Sequence, residues 1–143
     1  MASPGYATEV TIAATHSFPA TPASVGRARR FVAAALTDDD GSVWLQEDLE
    51  WAQLVTSELA TNAVVHAGTT FEVDVRANSE IRIAVSDGST DPPVLREHDV
   101  GSVQPSHGRG VAIVVATSDG FGVQRHLDGK VVWCSHAQRG ARS

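Results

Sequence analysis

The chain predicts an α+β fold: a two-layer sandwich in which a mixed, mostly antiparallel sheet carries helices on one face. Two observations predict it. Apolar residues recur at helical spacing in two long segments, Val25 to Leu36 and Leu45 to Ala63. β-like runs, by contrast, come in pairs around short polar turns, so the coarse order is strand, helix, helix, strand, strand, loop, helix, strand, strand. At 143 residues, 42% hydrophobic and 20% charged, the chain has the length and balance of one globular domain spanning 1–143, with its core between about residues 18 and 136.

The elements follow in order. Tyr6 to Ala14 alternates loosely between apolar and polar and then meets His16, Ser17 and Pro19, which reads as a first, edge strand. Thr21 caps a helix with Pro22 in its first turn, and Val25, Ala28, Phe31, Val32 and Leu36 form its apolar stripe until Asp38-Asp39-Asp40-Gly41 stops it. A second helix, capped by Ser42 or the acidic turn, runs from about Trp44 to His66 with Leu45, Leu49, Ala52, Val55, Leu59 and Ala63 on one side, and ends at Gly68. Thr70 to Arg76 and Glu80 to Ser86 read as a hairpin joined at Ala77-Asn78-Ser79. From Gly88 to His107 the pattern is irregular, a loop long enough to be functional. A short helix is expected from Gly108 through Val115, and a final hairpin from Gly120 to His126 and Lys130 to His136 around Asp128-Gly129.

Composition narrows the function. A formal charge of −6 and the lack of a basic stripe disfavour nucleic acid and anionic membrane surfaces, and Arg27, Arg29 and Arg30 read as the wet side of the first helix. The single Cys134 builds neither a disulfide framework nor a cysteine-rich metal site, and the six histidines lack close ligand pairings. The acidic turn fails as a calcium loop, because Leu36 falls where the first carboxylate is required. Trp44, Trp51 and Trp133 read as core or interface residues. With neither a signal-like N-terminus nor a long apolar run, a cytoplasmic protein is expected.

Three groups of residues carry chemistry. Glu58, Asn62 and His66 stand four apart in two steps, so on one helix they share a slowly rotating face and can meet one ligand. Asn is a mediocre helix former in mid-helix, and a carboxylate beside a carboxamide suits magnesium, which wants oxygen ligands. Asp87 follows an apolar strand and precedes Gly88, where a carboxylate can accept a hydrogen bond from an exocyclic amine such as that of adenine; an Asp-Gly turn is the alternative. Gly108-Arg109-Gly110 opens an apolar helix, where bare backbone N–H groups can approach a phosphate. The pattern lacks the Gly-Lys-Ser/Thr of a P-loop and the early position of a Rossmann fingerprint.

Taken in order, Glu58-Leu-Ala-Thr-Asn62-Ala-Val-Val-His66-Ala, Ser86-Asp87-Gly88-Ser89 with Pro92-Pro93, His107-Gly108-Arg109-Gly110-Val111 and Gly129-Lys130-Val131-Val132-Trp133 resemble the GHKL ATPase superfamily. This is the Bergerat-type ATP-binding fold of gyrase, histidine kinases, MutL and heat-shock chaperones. The likeness is greatest to the anti-sigma-factor serine kinases and the stand-alone ATP-binding regulators of actinobacteria, and it covers about Phe18 to His136. Two positions depart from the family pattern. The Asp-x-Gly-x-Gly motif has its single glycine one place early, at Gly88, and Val131 stands where a Thr often follows Gly-Lys.

The resemblance implies that Glu58 is a general base, Asn62 a Mg2+ ligand and Asp87 the adenine-reading acid, with Gly88 beside it. It implies that Gly108, Arg109 and Gly110 belong to the phosphate side, that the loop from Pro92 to His107 is a lid, and that His66 closes the helix near the ligand. The implied function is an ATP-dependent serine/threonine protein kinase of the anti-sigma type. Its partners would be ATP or ADP with Mg2+, an antagonist of the anti-anti-sigma type and a sigma factor; a homodimer is left open. The alternative is a non-catalytic, nucleotide-gated module that sequesters a sigma factor or another regulator.

Overall fold

The computed structural model describes residues 12–37, 44–91 and 114–137. Among the described residues, five strands form one sheet: β1 (Ile12–Phe18), β2 (Phe71–Ala77), β3 (Glu80–Asp87), β4 (Gly120–His126) and β5 (Gly129–Ala137). Their spatial order is β1-β2-β3-β5-β4, and each of the four pairings is antiparallel. Two helices, α1 (Pro22–Thr37) and α2 (Gln46–Asn62), complete the framework, and α2 runs into a π-helical turn at Ala63–Ala67.

Alternation decides which face of the sheet is covered. Phe71, Val73, Val75 and Ala77 of β2 are buried, as are Ile81, Ile83 and Val85 of β3 and Val132 and Cys134 of β5. Side chains two apart share a face, so these residues make one apolar surface. Ala28, Val32 and Leu36 of α1 and Ala52, Val55 and Leu59 of α2 pack on it. The opposite face is polar: Thr15 donates to Asp74 at 2.7 Å, Arg76 pairs with Asp74 at 3.1 Å, and the Arg82 guanidinium lies 4.9 Å from the Trp133 ring centroid. Trp133 lies against the β4 backbone because Gly122, its register partner, has no side chain; a Cβ there would collide with the indole.

Four boundaries differ from expectation. β1, described from Ile12, runs on through His16 and Ser17, because pairing with Val73 and Glu72 extends the ladder through residues whose composition suggests a stop. The last hairpin turns at Leu127-Asp128, one residue earlier than expected, with Gly129 already paired to His126. Helix α2 starts at Gln46 rather than near Trp44, with Leu45 as its N-cap, half-exposed. Leucine has no acceptor to give the helix; Asp48 instead accepts the Leu45 N–H at 2.9 Å, which is half of a capping box. Ser42, the Asp38–Gly41 turn and the first eleven residues lie outside the described residues.

The fourth difference bears on function. The α-helix does not continue to His66: it ends at Asn62 and widens into the π turn, closed by the Gly68 N–H donating to the Ala63 carbonyl at 2.8 Å. Gly68 adopts φ 67°, the left-handed conformation that glycine takes without penalty, as the sequence indicates for a C-cap. The expected short helix from Gly108 lies mostly outside the described residues; 114–117 are helical, and Val114 is buried.

Candidate functional site

One end of the sandwich gathers the chemistry. Antiparallel pairing brings the start of β2, the end of β3 and the start of β5 to the same end of the sheet, with Phe71 opposite Asp87 and Asp87 opposite Lys130. The π turn packs against β3 and leads through Gly68 into the start of β2, so Asn62 at the end of α2, with Glu58 one turn before it, is carried toward the same end.

Asp87 is almost fully buried at its side chain, 5% exposed, and its Oδ1 accepts two hydrogen bonds: from the Ser89 N–H at 2.9 Å and from the Lys130 ammonium at 3.0 Å. The first of these closes a turn, so the Asp-Gly turn is present, and the same carboxylate is also held in a buried ion pair. Thr69, which precedes β2, accepts the Gly88 N–H on its Oγ1 at 2.9 Å and so fixes the chain where it leaves β3. Gly88 itself has room, since a Cβ would meet Thr69 at an ordinary 3.5 Å. Gly129 does not: a Cβ there would collide with the Asp87 carbonyl and lie 3.0 Å from the Gly88 Cα. This contact of bare backbones seats the start of β5 on the end of β3 and sets Lys130 beside Asp87.

Asn62 is half-buried, and its Nδ2 is buried with no hydrogen-bond partner among the described residues. Such an atom costs about 1–3 kcal/mol unless something satisfies it, so a bound water, ion or ligand is its natural partner. Glu58, one turn earlier, is half-buried and already engaged in an interaction. His66 is exposed on the π turn and also engaged; the widened turn takes it off the regular four-residue stripe that the sequence suggests for Glu58, Asn62 and His66. Gly108, Arg109 and Gly110, and the segment from Pro92 to His107, lie outside the described residues.

Magnesium can be tested against these side chains. No group of three or more His, Cys, Asp or Glu among the described residues could hold a metal. A magnesium ion bound through one protein oxygen, phosphates and water needs no such group. The Asn62 amide, turned over, would present its Oδ1 where an unpartnered Nδ2 now lies, so the residue fits a single-ligand site.

Sequence reasoning quoted Lys130 but gave it no role, and it passed over Thr69. The missed signal is alternation: Lys130, Val132, Cys134 and His136 share one face of β5, so a lysine and a histidine stand at inward positions. His136 marks a second buried polar group at the other end of α2. Its Nε2 lies 2.9 Å from Asp48 Oδ1, its ring stacks on Trp51 at 4.6 Å, and its Nδ1 is buried without a partner among the described residues. Trp51 donates to Ser118 Oγ at 3.3 Å, which donates to the Val114 carbonyl at 2.6 Å. Fourteen residues of helix, roughly 21 Å, separate Asp48 from Asn62, so this network is architectural.

The arginine cluster divides. Arg29 donates to Ser57 Oγ at 3.2 Å, joining α1 to α2, whereas Arg27 and Arg30 line a cavity of about 500 Å3 with His16, Ser17, Phe18 and Phe31 along the edge strand β1. No helix among the described residues is long and apolar enough to cross a membrane.

Comparison with known proteins identifies the fold and the family. No curated protein sequence matches the chain. Among solved structures, the RsbU and RsbW domains of Rv1364c from Mycobacterium tuberculosis superpose with a TM-score of 0.66 at 17% identity, over 91% of this chain and 34% of that one. The chain thus spans about a third of the length of the solved chain, and the likeness is one of fold. The profile of the histidine kinase-like ATPase domain matches residues 18–135, from the last residue of β1 nearly to the end of β5. By that match the chain belongs to the histidine kinase-like ATPase domain family, an ATP-binding fold.

Proposed function

We propose that this domain is an ATP-binding regulatory serine/threonine protein kinase of the anti-sigma type, which passes the γ-phosphoryl group of ATP to a Ser or Thr of an antagonist protein. The observation that carries the reading is the buried Asn62 amide at the end of α2, without a partner among the described residues, on the chain that leads into β2 beside Asp87 at the end of β3. Asp87 receives the adenine amine, Asn62 holds the magnesium ion that travels with the triphosphate, and Glu58 faces the acceptor hydroxyl. When bound, magnesium neutralises phosphate charge. The hydroxyl oxygen forms a bond to the γ-phosphorus as the bond from that phosphorus to the β–γ bridging oxygen breaks. ADP departs, and the hydroxyl proton goes to the Glu58 carboxylate. Gly108, Arg109 and Gly110 supply the phosphate side. A phosphate on the antagonist adds about −2 of charge at an interface, enough to exchange one partner for another.

The test is transfer of labelled γ-phosphate to an antagonist protein by the wild type and by Glu58→Gln. A loss of two orders of magnitude or more in rate, with ATP affinity unchanged, supports the reading; transfer at the normal rate by the variant overturns it. The second reading, a nucleotide-gated module without turnover, draws support from Ser89 and Val131, which replace the glycine and threonine of the family pattern. Magnesium-dependent ATP binding with no transfer to any antagonist, and binding of a sigma factor only with ATP, would favour it.

A further inference from the structure

We propose that Lys130 reads the nucleobase: with Asp87 it forms a donor–acceptor pair that engages two neighbouring atoms of adenine, N1 and the N6 amine. The inference rests on the reading of Asp87 as the residue that receives the base. It starts from the cost of Lys130 where it stands. The residue is only 6% exposed, and lysine is almost never buried to that degree without a partner. Its partner is Asp87, but a buried ion pair is poor as a source of stability, since apolar residues of similar volume often serve as well or better. A carboxylate that merely accepts the adenine amine has no need of a buried ammonium beside it.

The arrangement of donors and acceptors supplies the need. Lys130 Nζ gives one of its three protons to Asp87 Oδ1, 3.0 Å away, and among the described residues its other two have no acceptor. The Ser89 N–H also goes to Oδ1. Neither bond falls on Oδ2, the oxygen that suits an incoming N–H. Adenine carries a donor, the N6 amine, next to an acceptor, N1. With the amine on Asp87, N1 comes beside the ammonium, and acceptor and donor on the protein meet donor and acceptor on the base. Guanine and hypoxanthine carry O6 and N1–H in the reverse order. In the same pose both contacts turn repulsive, whereas a carboxylate alone would oppose only one. Lys130 therefore doubles the discrimination, and Gly129 holds it in place by letting β5 close onto the Asp87 carbonyl.

The experiment is calorimetric titration of the wild-type chain and of Lys130→Met with Mg·ATP and with Mg·1-deaza-ATP, in which N1 is replaced by C–H. A charge-assisted hydrogen bond to N1 predicts that the wild type prefers ATP by at least tenfold, about 1.4 kcal/mol, and that Lys130→Met binds the two alike. Equal binding of both nucleotides by the wild type, within twofold, overturns the role of Lys130 and leaves the nucleotide site standing. Failure to bind ATP at all overturns both. Because the wild-type comparison decides alone, the proposal stays refutable even where Lys130→Met does not fold.

Discussion

Replacing Gly129 by alanine is expected to destabilise the domain and to disable the candidate site together. The added methyl would collide with the Asp87 carbonyl and sit 3.0 Å from the Gly88 Cα. Both are main-chain atoms, so no rotamer change relieves the overlap; the start of β5 has to lift from the end of β3. Overpacking of this kind costs about 1–3 kcal/mol, and a clash with backbone on the far side belongs at the upper end. For a domain of this length, about 3 kcal/mol lowers the melting temperature by roughly 10 °C. The lift also parts Lys130 from Asp87, whose bond spans 3.0 Å, so ATP affinity falls with stability. Gly88→Ala is the control: the nearest atoms to its Cβ belong to the Thr69 side chain, at 3.5 Å, and the change should stay within about 0.5 kcal/mol. The assay is thermal unfolding followed by circular dichroism, with ATP titrations on both variants at 20 °C. A Gly129→Ala protein melting within about 2 °C of wild type would refute the argument that close approach, rather than turn preference, selects glycine here.

Asp48→Ala removes the acceptor of the Leu45 N–H and leaves His136 buried without its partner, a loss of about 2–4 kcal/mol measurable in urea unfolding, while Asp48→Asn keeps the acceptor for Leu45 and costs less. Burial pushes the Cys134 thiol up to about 11, partly offset by a hydrogen bond with Ser118, so a thiol reagent at pH 8 should label the unfolded chain and spare the folded one. The same shift fixes a pH dependence. Below pH 9 the thiol is protonated in both states; between about 9 and 11 only the unfolded state ionises, so stability falls with rising pH there, by up to roughly 2–3 kcal/mol. Cys134→Ser, compared with wild type at pH 8 and pH 10.5, isolates that slope, which should be absent from the variant.

The framework was legible because its signals are local and repeated. The apolar stripes of α1 and α2, the alternation of β2 and the polar turn before Glu80 each predict their element without tertiary information. Where pairing decides, the sequence misleads: His16 and Ser17 look like a strand end, yet partners on β2 keep them in the ladder. At the site, Asp87 was readable as an acid at a strand end and Asn62 as a poor helix former set within a helix, although the helix end at Asn62 was not. Lys130 was not, because its significance lies in a partner 43 positions away and in a glycine that permits the contact. Asp48 and His136, 88 positions apart, escaped for the same reason, although the acidic residue three places after Leu45 is a helix-start signal.

The π turn after Asn62 is the place where local rules and the fold disagree most, and the disagreement has a direction. Nothing in Ala63-Val-Val-His-Ala67 forbids a plain α-helix; alanine is its best former and the two valines are only mildly unfavourable. A regular helix continued to His66 would keep Glu58, Asn62 and His66 on one stripe. The inserted residue instead ends the α-helix at Asn62, turns the chain through Gly68, and sends it into β2 beside the end of β3. Single π turns inside α-helices are rare, and they occur frequently at functional sites because they aim a side chain that regular geometry would misdirect. Here the residue at the junction is the one whose buried amide lacks a partner. The widened turn and the unmet hydrogen bond at the same residue are two separate departures from regular structure. A fold that retains both where α2 leads through Gly68 into β2, beside the end of β3 and its Asp87–Lys130 pair, supports reading this end of the sandwich as the one that meets the ligand.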